Sequence, residues 1–186
     1  MAYAPLPKGN WNNNSHRMEN TFGIPILPNN EEESLAKLRS LYLLNAYQEE
    51  GEFNHIAAKA SNMFNVPIAL VNLVDSAYVL TKASAGLEAV ASVLSGTSLC
   101  SLAILKDGTT VFENAVEEPC LLANPMVTGE FGLRFYEAAP LNTSDGYNIG
   151  ALCILDKEPR VFSQTDQRIL QNLASVVMEN IEKGVA

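Results

Sequence analysis

The chain has 186 residues, 47% of them hydrophobic, and its 21 acidic and 12 basic residues give a formal net charge of -9. This length and composition suit a single domain with a packed core and an appendage. The excess of negative charge repels phosphate backbones, which excludes nucleic acid as a partner.

No stretch approaches the roughly 20 apolar residues that a membrane-spanning helix needs, and no apolar signal segment opens the sequence. The three cysteines, Cys100, Cys120 and Cys153, are too widely spaced for a dense disulfide framework or a zinc site. We therefore expect free thiols in a reducing compartment, no bound metal, and a cytoplasmic protein without a membrane partner.

Residues 1–23 are rich in Pro, Gly and Asn and lack periodicity, which predicts an extended N-terminal arm. The single domain is expected at 24–184. Its first helix is predicted from an N-cap at Asn30 to about Tyr47, with three glutamates in the first turn. The apolar residues of this helix cover more than one stripe, which predicts a second partner surface: Leu35, Leu38, Leu41, Tyr42, Leu43 and Leu44.

A second helix is predicted after Gly51, because its apolar residues recur on one face: Phe53, Ile56, Ala57, Ala60, Met63 and Phe64. The β-branched run Val66–Asp75 then predicts a strand. Tyr78–Ser84 is its predicted hairpin partner, with the turn at Asp75 and Ser76.

A short helix is predicted over Ser95–Lys106, with Thr97 or Ser98 at its N-cap. A short strand, Thr109–Glu113, follows it. Residues 114–132 have no periodicity, and a loop of this length inside one domain is typical of a lid or binding loop.

Two apolar runs, Phe135–Leu141 and Tyr147–Leu155, flank a turn that contains Asp145 and Gly146, which predicts a β-hairpin. The second run is apolar at nearly every position, so we expect a central strand covered on both faces. A last helix is predicted to about Lys183, with a capping box formed by Ser163 and Asp166 at its start and Gly184 at its end.

The order and spacing of these segments resemble a GAF domain, the small-molecule sensing module of bacterial signalling proteins. The resemblance covers about residues 24–181. It is specific in the strand V-P-I-A-L-V-N-L-V-D at 66–75, the short helix S-L-C-S-L-A-I-L at 98–105, and the loop and hairpin at 124–141 and 149–156.

The resemblance implies an α+β, GAF-like (profilin-like) fold with an antiparallel sheet of five to six strands. The N- and C-terminal helices would cover one face, and the short helix and the long loop would cover the other. In such domains the second face encloses a ligand pocket, and the first and last helices often pair two subunits. We therefore predict a homodimer that binds a small molecule and acts in trans on a signalling protein.

The predicted ligand-binding residues come from the short helix, the loop and the first strand of the hairpin. Neighbouring strand residues point to opposite faces, so Phe135 and Tyr136 cannot both line one pocket. No cofactor is identifiable; the Cys-His pair of many bilin-binding GAF domains is absent. The predicted residues are Ser98, Cys100, Ser101, Asn124, Thr128, Arg134, Phe135 and Tyr136.

Two alternatives stay open. Stand-alone proteins of this family include free methionine-(R)-sulfoxide reductases, in which Cys100 and Cys120 would be the catalytic residues. Those enzymes hold the substrate with two carboxylates of the second hairpin strand, where this chain has Cys153 and Leu155, and Asp156 is expected on the other face. The other alternative is a degenerate protein-interaction module with a filled pocket. The pattern favours a non-enzymatic sensor without catalytic residues.

Overall fold

The computed structural model describes residues 30–44, 53–87 and 92–183. The predicted N-terminal arm and the stop at Gly184 lie outside these residues. The helices are α1 (Glu31–Leu44), α2 (Asn54–Phe64), α3 (Cys100–Ala103), α4 (Pro125–Thr128) and α5 (Gln164–Lys183). The strands are β1 (Ile68–Val74), β2 (Tyr78–Ala85), β3 (Ser92–Leu94), β4 (Thr110–Phe112), β5 (Phe135–Asn142) and β6 (Asn148–Asp156).

The strands form one six-stranded sheet in the order β3-β2-β1-β6-β5-β4, and every neighbouring pair is antiparallel. β5 and β6 form the predicted hairpin, with Gly146 at φ 90° in the turn. β6 lies between β1 and β5, and all of its residues are buried. The prediction of a central strand covered on both faces is confirmed.

One face of the sheet carries the long helices α1, α2 and α5. Val71 and Leu73 of β1, and Leu152 and Ile154 of β6, point into this layer. The helices meet these strand residues with a buried apolar face that includes Leu38, Leu41, Ile56, Ala60, Leu170, Leu173, Val177 and Ile181. Part of the apolar surface of α1 is therefore buried against the sheet of the same chain.

The opposite face is covered by α3 and the segment 114–132. Leu99, Leu121 and Leu133 pack there against Leu70 and other residues of the central strands. This arrangement confirms the predicted α+β, GAF-like fold, with helices of the two chain ends on one face and the short helix and loop on the other.

Several local predictions need correction. Met63 was expected in the core but is 49% exposed. The core-facing side of α2 runs through Ala57 and Ala60 to Phe64, and Met63 lies at its edge. The predicted helix Ser95–Lys106 is a 3₁₀ turn at Ser95–Thr97 followed by α3, because Ser98 has an extended backbone. Leu99 is therefore the N-cap, although the Ser98 hydroxyl still accepts the Cys100 N–H at 3.2 Å.

The loop 114–132 is also more regular than expected, with a 3₁₀ turn at Pro119–Leu121 and α4 after it. At the start of α5, the Asp166 carboxylate accepts the Ser163 N–H at 3.0 Å. The Ser163 hydroxyl accepts the Asp166 N–H at 3.2 Å, so the predicted capping box is present. Within the described segments, no helix combines the length and apolarity needed to cross a bilayer.

Candidate ligand-binding site

A cavity of about 350 Å³ lies between the sheet and the cover formed by α3 and the loop 114–132. Its floor includes Leu70, Cys153 and Leu155, and its cover includes Met126 and Phe131. Most of the lining is apolar. Apart from Cys100 and Cys153, the polar lining residues are uncharged: Asn72, Thr81, Ser84, Thr97, Ser98 and Tyr136.

One wall of the cavity contains a buried cluster of two thiols and two hydrogen-bond donors. The Sγ atoms of Cys100 and Cys153 lie 3.8 Å apart. Cys100 Sγ accepts from Asn72 Nδ2 at 3.1 Å and from the Tyr136 hydroxyl at 3.4 Å. At most 4% of each of these four residues is exposed, so the cluster is shielded from bulk water.

The cluster favours different protonation states for its two sulfurs. A hydrogen bond from Cys153 lowers the pKa of Cys100; Tyr136, Asn72 and Ser98 add to this effect, and burial opposes it. The same bond to Cys100, together with burial, raises the pKa of Cys153. Burial raises the pKa of Tyr136 as well, so its hydroxyl remains a donor. The arrangement favours a thiolate on Cys100 beside a neutral thiol on Cys153.

Three of the predicted ligand-binding residues line the cavity: Ser98, Cys100 and Tyr136. Phe135 does not, because β5 alternates and its ring packs on the helix side of the sheet, 5.6 Å from the Phe162 ring. Ser101 is buried in α3, where its hydroxyl donates to the Ser95 carbonyl at 2.7 Å.

Asn124, Thr128 and Arg134 were also predicted to bind the ligand, but their side chains bind backbone groups of the loop and of the segments next to it. Asn124 is fully buried and caps α4. The Thr128 hydroxyl donates to the Asn124 carbonyl at 3.1 Å, and the Arg134 guanidinium donates to the carbonyls of Val127 and Leu133. These three residues shape the cover of the cavity without lining it.

Five polar or thiol residues line the cavity without having been predicted as ligand-binding: Asn72, Thr81, Ser84, Thr97 and Cys153. Asn72 had a usable signal, because it is the polar residue inside the apolar run 66–75. The strand positions follow from the register, in which Asn72 pairs with Thr81, and Leu70 pairs with Ser84 on one side and with Cys153 on the other.

Cys120 and Asp156 have contacts away from the cavity lining. Cys120 lies in the 3₁₀ turn before α4, and the pKa of its thiol is raised by burial and by Glu118. Asp156 is 6% exposed, and its carboxylate forms an ion pair with the Arg160 guanidinium. Cys153 and Leu155, by contrast, line the cavity at the positions considered for substrate-binding carboxylates.

An antiparallel sheet with terminal helices on one face and a covered cavity on the other defines a ligand-binding sensory fold. The sequence model of the GAF domain matches residues 49–181. The chain belongs to the GAF family.

Comparison with a curated relative shows a partial match in length. The chain is 36% identical over 158 residues to a cyclic di-GMP phosphodiesterase of Pseudomonas aeruginosa. The aligned part covers 84% of this chain and 27% of the relative, so the chain spans about a quarter of that protein's length.

Solved structures show the same fold at low sequence identity. The GAF domain of a phosphoenolpyruvate-protein phosphotransferase from Acinetobacter has a TM-score of 0.60 at 17% identity, covering 84% of this chain and 95% of that one. The free methionine-R-sulfoxide reductase of Neisseria meningitidis, in complex with its substrate, has a TM-score of 0.59 at 23% identity, covering 82% and 89%.

Proposed function

We propose that this chain is a sensory GAF domain whose cavity binds a small, uncharged and largely apolar molecule. The observation that carries the proposal is the cavity of about 350 Å³ with an apolar lining and a few uncharged polar groups. This volume falls in the usual range for small-molecule sites, which are apolar with a small number of orienting polar groups.

The chemistry of the lining restricts the ligand class. Phosphate groups are bound in proteins by Arg, Lys or clusters of backbone N–H groups. The lining described above contains no Arg or Lys, so a cyclic dinucleotide is disfavoured although one relative carries that substrate in its name. An amino acid would also leave its ammonium group without a carboxylate partner.

The segment 114–132 is proposed to act as the lid. Met126 and Phe131 contribute to the lining from this segment, so a ligand that contacts them favours the closed state. The start of the segment is bonded to Arg134, because the Arg134 carbonyl accepts the Ala115 N–H at 2.6 Å, and the end of the segment leads into Arg134. The Arg134 N–H in turn donates to the Asp156 carbonyl of β6 at 3.0 Å. Arg134 precedes β5, which packs against α5, so closure would bias the terminal helices.

The proposed output is a homodimer that pairs through the first and last helices and acts in trans on a signalling protein. Val176, on α5, is 45% exposed, so an apolar residue of this helix remains available for a second copy. The two alternatives have less support. Cys120 is not among the cavity lining residues, which disfavours its pairing with Cys100 in a reductase, and an open cavity disfavours a filled interaction module.

Thermal unfolding with defined probes tests the proposal. Indole and 1-naphthol should raise the melting temperature and protect 114–132 from limited proteolysis, whereas cyclic di-GMP and methionine sulfoxide should do neither. Thr81→Phe, which fills the cavity, should remove the shift, and Thr165→Phe on the exposed start of α5 should keep it. Stabilisation by the charged probes alone would overturn the assignment.

A second measurement covers the case in which Thr81→Phe fails to fold. Native mass spectrometry of freshly purified wild-type protein reports both subunit number and retained ligand. A retained uncharged molecule on a dimer supports the proposal, and a retained nucleotide argues against it.

A further inference from the structure

Cys100 and Cys153 are brought together by the fold, because they lie 53 residues apart in the sequence. Cys153 is fixed in the central strand β6, and Cys100 begins the short helix α3 above it. The Sγ atoms are 3.8 Å apart, and a disulfide needs about 2.05 Å. Closing this gap requires a side-chain rotation or a small movement of α3 toward the sheet.

The neighbours of the two sulfurs assign them different roles. Cys100 Sγ accepts from Asn72 Nδ2 at 3.1 Å and from the Tyr136 hydroxyl at 3.4 Å, whereas Asn72 Nδ2 lies farther from Cys153 Sγ, at 3.6 Å. Hydrogen bonds to the charged form of a thiol favour that form, so the closer donors favour a thiolate on Cys100. The single S–H proton of Cys153 has two acceptors, the Leu70 carbonyl at 3.7 Å and Cys100 Sγ at 3.8 Å. Cys153 is therefore suited to remain a neutral thiol and to react in the second step.

We propose that Cys100 and Cys153 form a redox pair in which Cys100 reacts with a small hydroperoxide and Cys153 then closes a disulfide. A hydroperoxide is uncharged, as the cavity lining requires, and an alkyl group on it would contact the apolar floor. The site goes beyond ligand sensing and does not depend on the identity of the sensed molecule.

The reaction balances with the groups present. The Cys100 thiolate attacks the terminal oxygen of ROOH, so that an S–O bond forms, the O–O bond breaks, and the alkoxide leaves. The alkoxide takes the Cys153 thiol proton and becomes ROH. The Cys153 thiolate then attacks the sulfenic sulfur of Cys100, which forms the S–S bond and releases hydroxide, protonated by solvent to water. Two electrons pass from the two sulfurs to the peroxide, and a dithiol reductant reverses the disulfide.

Mass spectrometry of the reduced, purified chain tests the pair. After one equivalent of tert-butyl hydroperoxide and alkylation, we expect loss of two hydrogen atoms, one alkylated thiol, and a peptide linking Cys100 to Cys153. Cys120→Ser, the matched control, should form the same link. Cys153→Ser should stop at a sulfenic acid on Cys100 that dimedone traps, and Cys100→Ser should leave Cys153 reduced.

Two results would overturn the proposal: a disulfide that includes Cys120, or oxidation confined to Cys120 while Cys100 and Cys153 stay alkylatable. A second measurement compares the oxidation rates with tert-butyl hydroperoxide and with hydrogen peroxide. A rate with tert-butyl hydroperoxide at least about tenfold above that with hydrogen peroxide supports reaction inside the apolar cavity, whereas the reverse order places the reactive sulfur in open solvent.

Tyr136→Phe tests the assignment of the thiolate. Loss of the hydroxyl removes one donor to Cys100, so the pH midpoint of the reaction should rise and the rate at neutral pH should fall several-fold. Far-UV circular dichroism checks the fold of each variant. An unchanged midpoint in a folded Tyr136→Phe protein would contradict the role of Cys100 as the hydrogen-bonded thiolate.

Discussion

Asn124 joins the loop to the helical wall of the cavity, because its Nδ2 donates to the carbonyl oxygen of Thr97 at 3.2 Å. Its Oδ1 accepts the Met126 N–H at 2.9 Å, as an N-cap of α4. Thr97 and Met126 both line the cavity, and Asn124 itself is fully buried behind them. This side chain therefore holds two walls at a fixed separation without contacting a ligand.

Asn124→Ala should lower the free energy of unfolding by about 1–3 kcal/mol, because two buried backbone groups lose their partners. Asn124→Asp keeps the cap acceptor but places a buried carboxylate oxygen against the Thr97 carbonyl, so at neutral pH we expect a loss at least as large as that of Asn124→Ala. Urea unfolding measures both. The control is Asn62→Ala, at an exposed position of α2, which should change stability by less than about 0.5 kcal/mol. Equal losses for Asn124→Ala and Asn62→Ala would contradict the bridging role.

Glu137 is fully buried in β5, and within the described segments neither of its carboxyl oxygens has a hydrogen-bond partner. Burial raises the pKa of Glu137 from 4.5 to about 8, with smaller contributions from Asp166 and Glu113. The folded chain therefore holds a proton there between pH 4.5 and 8 that the unfolded chain releases. The contribution of Glu137 to stability should therefore fall as pH rises through this window and level off above pH 8.

Glu137→Gln removes this dependence, because the amide does not titrate. The difference in the free energy of unfolding between the variant and the wild type should be smallest near pH 4.5 and grow in favour of the variant up to pH 8. Its growth should be on the order of 4 kcal/mol at most, from about 1.4 kcal/mol per pKa unit. Glu130→Gln, at an exposed position, is the control. A constant difference across pH 4.5–8 would show that Glu137 is ionised in the folded chain.

The sequence predicted the sheet well because strand alternation and turn residues are local signals. The apolar run in β6 indicated two covered faces, and Asp145 with Gly146 indicated the hairpin turn. Both the covered faces and the turn are indicated by residues that are neighbours in the sequence. The irregular appearance of 114–132 correctly marked the cover of the cavity, but its helical turns depend on buried contacts such as those of Leu121 and Val127.

The site was predicted only in part because its geometry depends on contacts between distant segments. Cys153 has the same sequence signal as a small core residue, and its position beside Cys100 results from the packing of α3 on β6. Asn124 has the signal of a polar loop residue, yet its partner is Thr97, 27 residues earlier. The alternation of β5 predicted that Phe135 and Tyr136 lie on opposite faces of the sheet. Which of the two faces the cavity followed only from the observed register of β5.

The ion pair between the buried Asp156 carboxylate and the partly exposed Arg160 guanidinium should contribute to stability. The Arg160 side chain also donates to the Asn65 carbonyl at 2.8 Å, so it remains in place when the carboxylate is removed. Asp156→Ala should therefore cost about 2–4 kcal/mol by leaving a partly buried guanidinium unpaired. Glu179→Ala breaks an exposed pair with Lys183 at the same i,i+4 spacing and should cost less than about 0.5 kcal/mol. Chemical denaturation of both variants compares them, and similar losses would contradict a stabilising role for the buried pair.

Gly150 permits the close approach of β6 to β1 next to the cavity. A Cβ atom at this position would lie 2.2 Å from the backbone oxygen of Asn72, far inside van der Waals contact. Because both strands are central and cannot separate without breaking the sheet, Gly150→Ala should lower the free energy of unfolding by at least about 3 kcal/mol. Gly108→Ala, where a Cβ atom would meet nothing within 4 Å, should change it by less than about 0.5 kcal/mol. Thermal unfolding of the two variants measures the contrast, and a melting temperature for Gly150→Ala equal to that of Gly108→Ala would contradict the close contact between Gly150 and the Asn72 backbone.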